Sequence, residues 1–110
     1  MDDSAELDLV PGTLDLLILR SVALAPMHGW GIGRHIEQVS GVFKVKLGSL
    51  YPALDRLQAE GFIDAEWRPS ENNRRARYYR LTRAGRRRLQ TERQDWDIRV
   101  AGIARILAAT

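Results

Sequence analysis

The stretch from Leu14 to Ala25 is apolar on nearly every side, and this constrains the fold most. Helical spacing puts Leu14, Leu17, Ile18 and Val22 on one face and Leu16, Leu19 and Ala23 on another. A helix of that kind is buried on more than one side. A chain of 110 residues holds one domain and one modest core, so it covers one of those faces. The other, with Leu16 and Leu19, is expected to meet a second subunit.

The stretch contains Asp15 and Arg20 and is too short to span a bilayer. The chain opens with Asp2, Asp3, Glu6 and Asp8, the reverse of a signal peptide's basic start. Residues 1–10 are expected to be a flexible acidic arm, and the protein to be cytoplasmic with no membrane partner. There is no cysteine, which excludes disulfides, thiolate catalysis and cysteine-ligated metals.

Punctuation divides the remainder. Pro11-Gly12-Thr13 reads as a turn with Thr13 capping the first helix. Pro26 stops that helix, and His28-Gly29-Trp30-Gly31 opens a second, with Ile32, Ile36 and Val39 on its inner face. Ser40-Gly41 ends it. Val42, Phe43 and Val45 form a short extended piece with Lys44 and Lys46 pointing the other way. A third helix is predicted over about 49–60. Leu50, Leu54 and Leu57 form its core stripe, Ser49, Pro52, Asp55, Arg56 and Ala59 its opposite face, and Tyr51 its flank. Pro52 then falls in the first turn, where a missing N–H is tolerated, and Gly61 terminates the helix.

Alternation predicts a strand over 62–68, turn residues over 69–73, and a returning strand over 77–81. Thr82 caps a last helix reaching toward Ala109. There Leu89, Trp96 and Ile103 recur every seven residues, with Val100 and Leu107 between, as in a coiled-coil seam with Arg93 as its misfit. The fold class is mainly α with a β-hairpin. A winged helix-turn-helix occupies 11–82 and a dimerisation helix 83–110.

Charge points to the partner. The net charge is +3, yet residues 68–88 carry nine arginines and one acid, Glu71, leaving the rest net acidic. Such a cluster repels itself and calls for an anion. In a winged helix the third helix lies in the major groove. Arg56 is then the residue best suited to a bidentate guanine contact, with Lys46, Ser49, Tyr51 and Pro52 around it. Arg74, Arg75 and Arg77 follow the DNA backbone or enter the minor groove. His28 and Gly29 sit where a phosphate can approach a helix N-terminus.

Other chemistry finds little support. His28 and His35 have no acid or cysteine at ligand spacing, so no metal is expected. Gly29, Gly31 and Gly33 follow no strand of a βαβ unit, so they are not a dinucleotide fingerprint. No nucleophile–base pair suggests an enzyme, and no cofactor is expected. Trp96, flanked by Glu92, Asp95 and Asp97, has two readings: dimer-seam packing, or one wall of a cavity for a flat aromatic, cationic effector. The competing function is a winged-helix module binding protein or RNA. It predicts an apolar or acidic outer face on the third helix, whereas this one is polar and small with one arginine.

Four segments together resemble the PadR family of transcriptional regulators: Met27-His28-Gly29-Trp30-Gly31-Ile32, Gly48 through Leu57, Glu60-Gly61-Phe62-Ile63, and Arg77 through Gly85. The resemblance covers about residues 11–108. It implies a homodimeric, ligand-responsive repressor of transport, efflux or stress genes, acting on a pseudo-palindromic double-stranded DNA operator. It also implies that the first and last helices, through Leu16, Leu19, Leu89, Val100, Ile103 and Leu107, build the subunit interface, and that Trp96 lines an effector site. The short single C-terminal helix is similar to that of the compact branch of the family. The acidic arm is not part of the family's common core.

Overall fold

A computed structural model describes residues 7–10 and 12–110. In order these form β1 (Leu7–Asp8), α1 (Thr13–Leu24), β2 (Met27–His28), α2 (Gly29–Ser40), β3 (Phe43–Lys44), α3 (Leu47–Ala59), β4 (Ile63–Pro69), β5 (Arg75–Leu81) and α4 (Arg83–Ala108). Residues 1–6 of the expected acidic arm, and Pro11 of the expected turn, lie outside the described residues. The end of the arm is ordered. Leu7 and Asp8 pair in parallel with Phe43 and Lys44, and the Leu7 amide donates to the Val42 carbonyl at 2.6 Å.

The core lies where α1, α2, α3 and the sheet converge: Ile18, Leu19, Val22, Ile32, Ile36, Leu50, Leu54, Leu57, Ile63 and Tyr79 are all buried. This corrects the expectation for Leu19. Its side chain is fully enclosed within the protomer and has no surface left for a partner. Leu16 is half-buried. Periodicity shows that α1 has two apolar faces but not which residues the protomer covers.

Local chemistry sets the element ends. Gly12, left-handed at φ 91°, caps α1. Thr13 lies inside the helix instead, and its hydroxyl donates back to the Val10 carbonyl at 2.7 Å. α2 ends on left-handed Gly41. The Glu37 carboxylate then accepts from the Val45 amide at 2.8 Å, fixing the link to α3. α3 starts two residues before its predicted start, with Lys46 at the cap. Pro52 therefore falls in the second turn, and the Gly48 carbonyl loses the donor four residues on.

β4 and β5 are antiparallel, with Ala65 opposite Tyr79 and Trp67 opposite Arg77. β5 starts two residues before the predicted Arg77, because the turn closes tightly. Asn73 is left-handed (φ 65°), and its amide donates to the Ser70 carbonyl at 2.9 Å. β2 adds an unforeseen third strand on the other side of β5, giving the order β2-β5-β4. Thr82 caps α4 as expected, accepting from the Gly85 amide at 3.0 Å. Gly85 lies against the Phe62 carbonyl so closely that a Cβ has no room. Leu89 packs in part against the protomer's own core. Farther along α4 the apolar side chains are uncovered: Trp96 is 36% exposed, Val100 44%, Ile103 57% and Leu107 80%.

Candidate nucleic-acid interface

α3 buries Leu50, Ala53, Leu54 and Leu57. At 100° per residue the opposite stripe is Gly48, Pro52, Asp55 and Ala59, and all four are exposed. Ser49 and Arg56 flank this stripe on the α1 side. Tyr51 and Gln58 flank it on the side of α2 and the hairpin.

Each flank is tied to its neighbour. On the α1 side, the Arg56 guanidinium donates to both carboxylate oxygens of Asp15, at 2.7 and 2.8 Å. Glu60 stands 3.8 Å away. Donating these hydrogen bonds to Asp15 raises the Arg56 pKa above its ordinary value, so its charge is fixed. The guanine-reading role expected of Arg56 would require this partly solvated pair to open. The planar fork that such a contact requires is already occupied by a carboxylate on another helix.

On the other flank, the Tyr51 ring lies over Gly29. A Cβ at residue 29 would come within 2.6 Å of the Tyr51 Cε1 atom. Gly29 is buried, which corrects its expected role as a phosphate contact: its missing side chain makes room for Tyr51. The His28 Nδ1 atom accepts from the Gly31 amide at 2.9 Å, capping α2. That bond assigns the Nε2 nitrogen as the donor, and it stands 3.5 Å from Glu71 at the hairpin tip. The Glu71 carboxyl is held below the usual carboxylate range, first by a backbone N–H bond and then by His28.

The hairpin faces α3 with Trp67, Arg75, Arg77 and Tyr79. Arg77 donates to the Gln58 side chain at 2.8 Å. Its guanidinium carbon is 5.9 Å from the Trp67 ring centre and 5.7 Å from that of Tyr79. Arg75 sits 5.5 Å over Trp67. Burial raises the Tyr79 hydroxyl pKa. Arg74 is exposed at the tip. On the opposite face, Arg80 is bound by Asp64 at 3.0 Å and Glu66 at 3.2 Å. Between α2, α3 and the hairpin opens a cleft of about 720 Å³, lined by His28, Trp30, Tyr51, Asp55, Trp67 and Arg77 among others.

Of the expected residues, the structure gathers Ser49, Tyr51, Pro52, Arg75 and Arg77 around one surface, with Arg74 at its edge. Lys46, at the start of α3, is 3.9 Å from Asp8. Sequence reasoning missed Asp15, Gln58, Trp30 and Trp67. Trp67 was accessible through alternation, which pairs it with Arg77. Asp15 and Arg56 are 41 residues apart, and no local pattern links them.

A three-helix core with a hairpin projecting beside the exposed third helix defines a winged helix-turn-helix protein. Residues 18–91 match the Transcriptional regulator PadR-like family. The chain is 44% identical over 77 residues, 70% of its length, to an uncharacterised 37.1 kDa protein of transposon TN4556 from Streptomyces fradiae. It spans only 21% of that relative. It is 35% identical over 79 residues to Transcriptional regulator Rv3488 of Mycobacterium tuberculosis, covering 72% of this chain and 71% of that one. The crystal structure of the PadR-like regulator BC4206 from Bacillus cereus superposes with a TM-score of 0.78 at 25% identity, covering 90% of this chain and 95% of the other. The chain belongs to the PadR-like family of transcriptional regulators, a family of regulators and not of enzymes. Among the described residues no helix is long and apolar enough to cross a membrane.

Proposed function

We propose that the chain is a homodimeric, ligand-responsive repressor in the cytoplasm that binds a pseudo-palindromic operator of transport, efflux or stress genes. The observation carrying this reading is the pairing of two surfaces on one small domain. One is the exposed stripe of α3 beside the arginine-bearing hairpin. The other is the uncovered apolar stripe of α4.

The first surface suits DNA. Gly48, Pro52 and Ala59 are small enough to let α3 enter a major groove. Ser49 and Tyr51 contribute donors at its entrance. Lys46, Arg74, Arg75 and Arg77 carry charge for phosphates on either side, and His28 offers its Nε2 proton nearby. The second surface suits a copy of itself. Trp96, Val100, Ile103 and Leu107 share one helix face, and such a stripe is buried by pairing, to which the half-buried Leu16 of α1 adds. Trp96, beside Asp95 and Asp97, then faces its symmetry mate and walls a site for a flat cationic aromatic.

The test has two parts. Genomic fragments retained by the protein are sequenced, and should share a two-fold motif upstream of one or a few genes. Planar aromatic cations are then titrated into a Trp30→Phe/Trp67→Phe variant. Quenching of Trp96 and release of the retrieved operator should occur over the same concentration range. Retention of unrelated fragments with no common motif overturns the reading.

A further inference from the structure

We infer that Asp55 is a specificity-determining residue of α3 and accepts a hydrogen bond from the exocyclic amino group of cytosine. The inference rests on the reading that α3 enters the major groove. The outward stripe Gly48, Pro52, Asp55 and Ala59 contains one side chain able to make a hydrogen bond, and it is an acid. Arg56 is held by Asp15. Gln58 is engaged by Arg77, and Tyr51 is turned over Gly29. Asp55 is exposed and lines the cleft between α3 and the hairpin.

A carboxylate in the middle of a surface that meets a polyanion is unfavourable unless something in the groove offers it a proton. Ionised, it can only accept. On the floor of the major groove, guanine presents the N7 and O6 acceptors and thymine the O4 acceptor, and all of these repel it. Adenine offers its N6 amino group beside the N7 acceptor, which opposes the contact. Cytosine offers its N4 amino group with no acceptor on its own edge. Pro52 and Ala59, one turn to either side, hold no competing donor. The acid therefore selects one base pair by attraction and rejects the others by repulsion, the double mechanism by which specificity is commonly built.

The experiment selects binding sites from a randomised duplex pool with the full chain, as wild type, Asp55→Ala and Asp55→Asn. Circular dichroism and the thermal midpoint serve as controls for folding. The wild type should favour cytosine by about tenfold at one position of each half-site. In Asp55→Ala that preference should fall to about twofold or less while other positions keep theirs. Affinity for random duplex should stay equal or rise, because a negative charge has left. Asp55→Asn should move the preference to adenine, which an amide contacts through N6 and N7. If the wild type selects a motif and both variants select it with the same strength at every position, Asp55 is not the reader, although α3 still binds DNA. If the wild type selects nothing, the DNA reading and this inference fall together.

Discussion

The Arg56 guanidinium on α3 holds both carboxylate oxygens of Asp15 on α1, at 2.7 and 2.8 Å. α1 also lies against α4, so it links the outward-facing helix to the helix with the uncovered apolar stripe. The pair is partly solvated, with side-chain exposures of 49% and 26%, and solvent screening limits what it contributes. A double-mutant cycle with Arg56→Ala and Asp15→Ala in urea unfolding should give a coupling of about 0.5–1 kcal/mol. Arg56→Ala should leave base preference in a selected operator unchanged. A coupling indistinguishable from zero, or a base preference relaxed at one position, would show that Arg56 is free to read DNA.

The difference between what sequence and structure reveal is one of range. Leu50, Leu54 and Leu57 declare α3 through their spacing, and Ile63, Ala65 and Trp67 declare β4 through alternation, because those periods extend over whole elements. β1, β2 and β3 have two residues each, too few to show any period. Their partners lie elsewhere in the chain. The α4 seam was visible as a heptad, but Leu89 turns toward the protomer's core while Ile103 and Leu107 do not. The helix leaves the domain between them, and the position of that exit depends on tertiary packing. Arg56 was visible as a cation of α3 near its outward face, and its partner was not, since the contact joins two helices distant in sequence.

Tyr51 over Gly29 gives a second prediction. Gly29→Ala places a methyl inside the volume of the Tyr51 ring. The ring is on the surface and can swing away, so folding should suffer little, roughly 1 kcal/mol or less in thermal unfolding. DNA affinity should fall as far as it does in Tyr51→Ala. The double variant should bind like either single variant, since both changes act through one ring. Additive losses in a binding titration would separate the two residues.

Asp8 supports a third. β1 places this acid beside Lys44 in register and 3.9 Å from Lys46, next to the first turn of α3. An anion there competes with phosphate for the same cations. Asp8→Asn should strengthen binding to any duplex and steepen the dependence of log affinity on log salt by about one unit. Titrations at several salt concentrations check it. An unchanged slope would mean that Lys46 does not meet phosphate.

Leu19 and Ile103 were both expected at the subunit interface, and the structure separates them. Leu19 is fully enclosed in the protomer, so Leu19→Ala should act as a core truncation. It removes apolar contacts and leaves a cavity, costing about 2–5 kcal/mol, and it should lower the unfolding midpoint whatever the state of assembly. Ile103 is 57% exposed on the uncovered stripe of α4. Its replacement by Glu costs the isolated protomer little. Across a two-fold seam it brings two carboxylates into an apolar contact, where the exposed Arg99 one turn back on α4 offers only a weak i,i+4 pairing. Light scattering at micromolar concentration should therefore show a dimer for the wild type and a folded monomer for Ile103→Glu. The monomer should lose operator affinity while keeping its circular dichroism spectrum. A dimer that survives Ile103→Glu would place the interface elsewhere, and a wild type that is monomeric at that concentration would remove it.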